Sequence, residues 1–181
     1  MLDYRNKDPF RLLVLAVVAL LCLPCLFTEH WIVSYLNKCL IIWFHEAGHG
    51  VMSVFWTWGW FGRFLVYAGG SAFQILVPLM FLVAVFSTGR MFQASLVIFM
   101  IAINFVDVSY YAADGALRER GLIFNMDKDS HDWGNILSMF NLRGQAQLIG
   151  WCIWLMGVVS WFLGLGISYV VAEQEYGRLT T

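Results

Sequence analysis

Charge is scarce in this chain. Eleven Lys and Arg and twelve Asp and Glu are spread over 181 residues, for a net charge of −1. No basic face is available to hold nucleic acid, and no field of one sign to gather an anionic ligand. Histidine is scarcer still, at four residues, too few for the histidine-rich centres of di-iron membrane hydroxylases. The four cysteines, Cys22, Cys25, Cys39 and Cys152, all lie in apolar runs, so the disulfide framework of a small secreted domain is excluded. Cys22 and Cys25 have C-x-x-C spacing, but without the βαβ context of a redox motif they read as packing residues. Internal repeats and low-complexity tracts are absent too, which leaves one domain over residues 1–181.

Apolar side chains fill the chain instead. They make up 60% of it, with 17% aromatic and nine Trp, and the mean hydropathy is +0.70. One small core cannot hide that much apolar surface. The expectation is an all-α, polytopic integral membrane protein with lipid as its main solvent and Trp at the headgroup level. Five segments, at about 10–27, 31–57, 72–88, 91–113 and 146–171, approach the roughly 20 apolar residues that a spanning helix needs. The first follows the charged MLDYRNKDPFR, lacks a small-residue cleavage site and reads as a retained anchor.

Basic residues set the expected orientation. Arg5, Lys7, Arg11, Arg63, Arg118, Arg120, Lys128 and Arg143 fall on one side of this five-span scheme; Lys38, Arg90 and Arg178 fall on the other. The positive-inside rule then puts the N-terminus in the cytoplasm, as expected for the plasma membrane of a prokaryote. The one sizeable polar segment, 114–145, becomes a cytoplasmic loop. It carries DKDSHDW and then GNILSMFNL, a short amphipathic helix that Ser130, His131 or Asp132 can cap.

Against this background the stretch IIWFHEAGHGVM, residues 41–52, is a misfit. An ionised group at membrane depth costs at least about 2.5–3.5 kcal/mol, yet His45, Glu46 and His49 cluster in one predicted span. His45 and His49, four residues apart, share a helix face, and both imidazoles can reach one metal ion. A metal accepts neutral imidazoles and balances a carboxylate, which gives the cluster a use. In H-E-x-x-H sites the glutamate is the general base that takes a proton from a zinc-activated water. Catalytic zinc usually has three protein ligands, so another helix must supply more. His30 belongs to the opposite side and is excluded, leaving Asp107, Asp114, His131 and Asp132. Asn104, Asp107, Tyr111 and Asp114 form a polar stripe on one predicted helix, expected to face the bundle. Depth alone does not choose among the four.

With HEAGH, the sequence resembles the site-2 protease family of intramembrane zinc metalloproteases, over under half of the chain. In that family a later helix supplies an aspartate from an N-x-x-P-x-x-x-L-D-G-like motif. The nearest counterpart here is NFVDVSYYAADG, residues 104–115, with Asp114 and Gly115 in the place of D-G; the proline is missing and the spacing is longer. GGSAFQILVP, residues 69–78, is similar to the glycine-containing entry of the family's intervening helix. Gly69, Gly70 and Ser71 allow close backbone approach there, and Gln74 points into the bundle. The pattern of HEAGH, GGS, Y-x-x-D and HDW is also similar to small membrane proteins related to these proteases. The resemblance implies His45, His49, Asp114 and His131 as ligands of Zn2+, with Asp132 and Asp107 orienting them and Asn104 and Gln74 as oxyanion donors. It implies a minimal core that hydrolyses a peptide bond of a membrane-spanning or membrane-proximal protein, with Glu46 as general base. The alternatives are a non-catalytic zinc-binding scaffold, or a zinc hydrolase acting on a lipid or small amide.

Overall fold

The computed structural model describes residues 9–27, 31–119 and 127–176. Arg5, Lys7, His30, Arg120 and Arg178, used above for orientation or set aside, lie outside them, as does the side chain of Lys38. Among the described residues the chain is helical throughout, with no strand. Its helices are α1 (Pro9–Cys25), α2 (Trp31–Met52), α3 (Gly59–Ser87), α4 (Met91–Asp114), α5 (Asp132–Met139) and α6 (Ala146–Tyr176). Three stretches are long and apolar enough to cross a membrane: Ile41–Ser87, Met91–Asp114 and Arg143–Ala172. Phe10–Cys25 is a shorter apolar helix. Large apolar side chains such as Met80, Phe81, Val83, Leu148, Phe162 and Leu163 stand more than half exposed, the outward face expected of a bundle solvated by lipid rather than water.

The stretch Ile41–Ser87 is folded back on itself. A 3-10 turn at Ser53–Trp58 and Gly59, at φ +65°, reverse the chain so that α2 and α3 pack antiparallel. The seam is made by glycines. A Cβ on Gly48 would stand 2.2 Å from the Gly69 carbonyl oxygen, and one on Gly62 would strike the Phe55 carbonyl. This also explains where α3 begins. The sequence places the next span only from 72, which leaves residues 59–70, GWFGRFLVYAGG, between two spans; each of their glycines costs a helix about 1 kcal/mol. The structure starts that helix at Gly59, because close packing against α2 repays the lost propensity.

The other half of the bundle is α4 laid along α6. On α6, Gly150, Gly157 and Gly164 recur every seven residues. A Cβ at each would meet Ala113, Val106 and Phe99 of α4 at 2.8–2.9 Å. Small residues let the two backbones close in, and Phe99 and Ala102 become fully buried. Ser95 Oγ donates to the Gly164 carbonyl at 3.0 Å, a polar clasp in the same seam.

Helix α1 runs in the same direction as α4. Arg11 lies over the Phe92 ring, Ala19 and Cys22 pack on Phe99, and Trp154 and Trp161 of α6 donate to the Leu26 and Ala19 carbonyls. Strict in-and-out alternation would set α1 and α4 antiparallel. Arg11 accordingly lies towards the Arg90 end of the bundle, away from Arg63, Arg118 and Arg143, so the charge bias read from the sequence is weaker among the described residues.

Candidate metal centre

Two histidines come from α2 and a carboxylate from α5. His45, Glu46 and His49 lie within about the last two turns of α2, on a helix whose small Gly48 lets α3 approach. The loop after α4 then brings α5 back against α3 and α4. Arg118, at φ +55°, helps to pin it by donating to Asn135 Oδ1 at 3.0 Å and to the Lys128 carbonyl at 3.2 Å. At the other end Phe140 packs edge-on against Trp60 and Phe64 of α3. Trp133 Nε1 donates to Ser71 Oγ at 3.1 Å. These contacts set Asp132, the first residue of α5, over the α2–α3 seam.

Asp132 Oδ2 lies 3.3 Å from His45 Nε2 and 3.2 Å from His49 Nε2. One donor atom from each of the three residues fits within 4.8 Å of the others. Tyr111 steadies the carboxylate: its hydroxyl donates to Asp132 Oδ2 at 3.2 Å and accepts from the Asp132 backbone N–H at 3.0 Å.

The remaining hydrogen bonds of the rings decide what faces Asp132. His49 Nδ1 lies 2.7 Å from the Val66 carbonyl, which can only accept, so Nδ1 carries the hydrogen. Gln74 Nε2 donates to Asp107 Oδ2 at 3.0 Å, which turns Gln74 Oε1 towards His45 Nδ1 at 3.2 Å and makes that nitrogen a donor as well. With the rings neutral, both Nε2 atoms present lone pairs to a carboxylate oxygen, and positive charge placed among the three, from ring protons or from a metal ion, balances them. A metal ion serves both rings and the carboxylate at once.

The donor set passes two tests of fit. Nitrogen and oxygen ligands about 2.0–2.1 Å from a tetrahedral ion are about 3.3 Å apart, close to the two separations found. The wall behind them is backbone. A Cβ on Gly70 would stand 2.5 Å from His45 Nε2 and 2.5 Å from His49 Nε2, in the space between the rings. Three donors converge among the described residues, which leaves a further coordination position for water or substrate.

The other sequence-predicted residues are placed as follows. Asp114 and His131 pair with each other: His131 Nε2 donates to Asp114 Oδ2 at 3.0 Å, while His131 Nδ1 accepts from the Gly134 backbone N–H at 3.0 Å and caps α5. Both ring nitrogens are thus in use. Burial pushes His131 below the ordinary imidazole pKa, outweighing the opposite pull of Asp114, so the ring is neutral. Asp132, ranked behind these two from the sequence, is the residue that meets both histidines. Asp107 is reached through Gln74. Asn104 is fully buried and donates to the Gln74 backbone carbonyl at 3.1 Å. Glu46 is exposed on the flank of α2 beside His45, near enough to His49 to act on it electrostatically. The Val66 carbonyl is the partner that sequence reasoning missed. A backbone acceptor leaves no residue-type signal.

Fold and site define an all-helical bundle with a candidate His–His–Asp metal triad. No family model, curated protein or solved structure matches the chain.

Proposed function

We propose that the protein is an intramembrane zinc metalloprotease of the site-2 type, with His45, His49 and Asp132 holding Zn2+ and Glu46 as general base. The observation that carries this reading is the convergence of two imidazole lone pairs and a carboxylate on one point, on a helix otherwise made for lipid. Zinc bound there would polarise the scissile carbonyl and lower the pKa of water towards about 7. Glu46 is the only acidic residue in the stretch Ile41–Ser87, and it stands on the open side of α2. It takes the proton of the attacking water and returns it to the leaving amide nitrogen. Tyr111 holds the Asp132 carboxylate in place. The substrate is a membrane-spanning or membrane-proximal segment, which unwinds locally because intact helical hydrogen bonds shield its carbonyls.

In this reading the apolar stretches Ile41–Ser87, Met91–Asp114 and Arg143–Ala172 lie in the membrane, and the end with Arg63, Arg118, Lys128 and Arg143 faces the cytoplasm. A three-donor site with an exposed carboxylate beside it favours turnover over a structural site, where four closed ligands are expected.

The test is Glu46→Gln in the full chain, co-expressed with a panel of single-span fusion reporters. Zinc should stay bound while reporter cleavage is lost. Undiminished cleavage in this variant ends the protease assignment. Turnover of lipid or small-amide probes in place of the reporters moves the chain to another hydrolase class.

A further inference from the structure

Four buried or half-buried residues of α3 and α4 form a unit that reaches the candidate metal site without touching the metal position. Pro78 lies inside α3 and is fully buried. A proline has no N–H, so the carbonyl four residues earlier, that of Gln74, loses its helical partner. In a membrane bundle such a carbonyl must be satisfied by another group. Asn104 Nδ2 of α4 does so at 3.1 Å. One turn along the same face of α4, Asp107 Oδ2 accepts from the side chain of that same glutamine at 3.0 Å. Gln74 is therefore held by backbone and side chain together, with 3% of its surface exposed.

The amide of glutamine can flip, and a flipped Gln74 would offer its N–H2 to His45 Nδ1. That nitrogen would become the acceptor and the hydrogen would move to Nε2, the atom that faces Asp132 and His49. The Asp107 carboxylate forbids the flip, because Oε1 would then oppose another acceptor. The order of donors runs from His45 Nδ1–H to Gln74 Oε1 and from Gln74 Nε2–H to Asp107 Oδ2, fixed from its far end.

We infer that Asp107 and Gln74 are positioning residues that lock His45 in the tautomer whose Nε2 lone pair binds metal, with Asn104 and Pro78 fixing where Gln74 stands. The inference rests on the metal reading above and deepens it. An outer partner that orients a ligating histidine also raises its basicity, and its loss typically lowers metal affinity on the order of 10- to 100-fold. Gln74 and Asn104 thereby have a role other than oxyanion stabilisation.

The experiment uses the purified full chain in nanodiscs with Zn2+ alone. Zinc affinity is read by competition with a chromophoric chelator, and the His45 tautomer of the metal-free protein by 15N-histidine spectra. Asp107→Leu should lower affinity roughly 10- to 100-fold and mix the His45 tautomers. The double variant Gln74→Glu with Asp107→Asn exchanges carboxylate and amide: the bond between positions 74 and 107 is kept with its donor reversed, and the carboxylate at 74 still accepts from His45 Nδ1–H, so the tautomer is held and most of the affinity should recover. Recovery shows that Asp107→Leu did not act through misfolding. If the unsubstituted chain binds zinc and Asp107→Leu binds it equally well with the tautomer unchanged, the positioning role is overturned while the metal site stands. Failure of the double variant to recover affinity also overturns it. If the unsubstituted chain binds no zinc, both readings fall together.

Discussion

His45 Nε2 and Asp132 Oδ2 stand 3.3 Å apart although 87 residues separate them in the chain. The contact joins α2, within an apolar stretch long enough to span, to α5, an eight-residue helix that the polar loop returns to the bundle. Docking α5 therefore completes the donor set. The side chains that hold α5 down become part of the site without being ligands.

Replacing Asp132 should separate ligand from support. In Asp132→Ala the triad loses a donor, and zinc affinity should fall further than the roughly 10- to 100-fold cost of disturbing an outer partner. Asp114→Ala should fall within that smaller range, since Asp114 acts through His131. Chelator competition on both variants checks the order. The reverse order would make Asp114 the ligand.

His131 can be examined by a substitution that keeps its cap. Asparagine is a good N-cap residue, so His131→Asn should retain the Gly134 hydrogen bond, α5 docking and zinc. His131→Ala should lose the cap, at about 0.5–2 kcal/mol, and show faster amide exchange in α5. A ligand role would instead appear as equal zinc loss in both variants.

Two glycines should fail differently. At Gly70 a new methyl stands 2.5 Å from both Nε2 atoms, so Gly70→Ala should displace zinc while leaving the helix content of the hairpin intact. At Gly48 the methyl meets the Gly69 backbone oxygen at 2.2 Å. Backbone cannot rotate away, so Gly48→Ala should cost about 1–3 kcal/mol of stability, as overpacking does. Zinc titration beside thermal unfolding in the same nanodiscs distinguishes the two outcomes.

Much of this was legible in the residues. The long apolar runs mark α4 and α6 within a few positions, and the i, i+4 spacing puts His45 and His49 on one face. The stripe of Asn104, Asp107 and Tyr111 announces the inner side of α4. Three features were hidden for physical reasons. Helix propensity does not favour the start of α3, and what stabilises it lies in tertiary contacts, Gly62 against the Ser53–Trp58 turn and Gly69 against α2. The direction of α1 depends on packing against Phe99 and Trp161, which no periodicity encodes. Asp114, His131 and Asp132 have equal chemical claims as ligands. Asp132 is singled out only by the way His131 caps α5 and turns its ring towards Asp114.

Metal removal should loosen α5 without releasing it. Zinc would tie Asp132 to His45 and His49, but Trp133 also holds Ser71 Oγ and Phe140 is wedged against Trp60 and Phe64. Those contacts do not depend on a cation. Local opening draws on the free energy of the contacts that a segment alone makes, and a ligand that binds only the docked form adds to it by mass action. Hydrogen exchange with excess zinc and then with a chelator should show α5 amides speeding up several-fold. Amides of α4 and α6, joined by the glycine seam, should be unchanged. Asp132→Asn should exchange at the fast rate under both conditions. Equal α5 exchange with and without zinc in the unsubstituted chain would show that Asp132 takes no part in binding the ion.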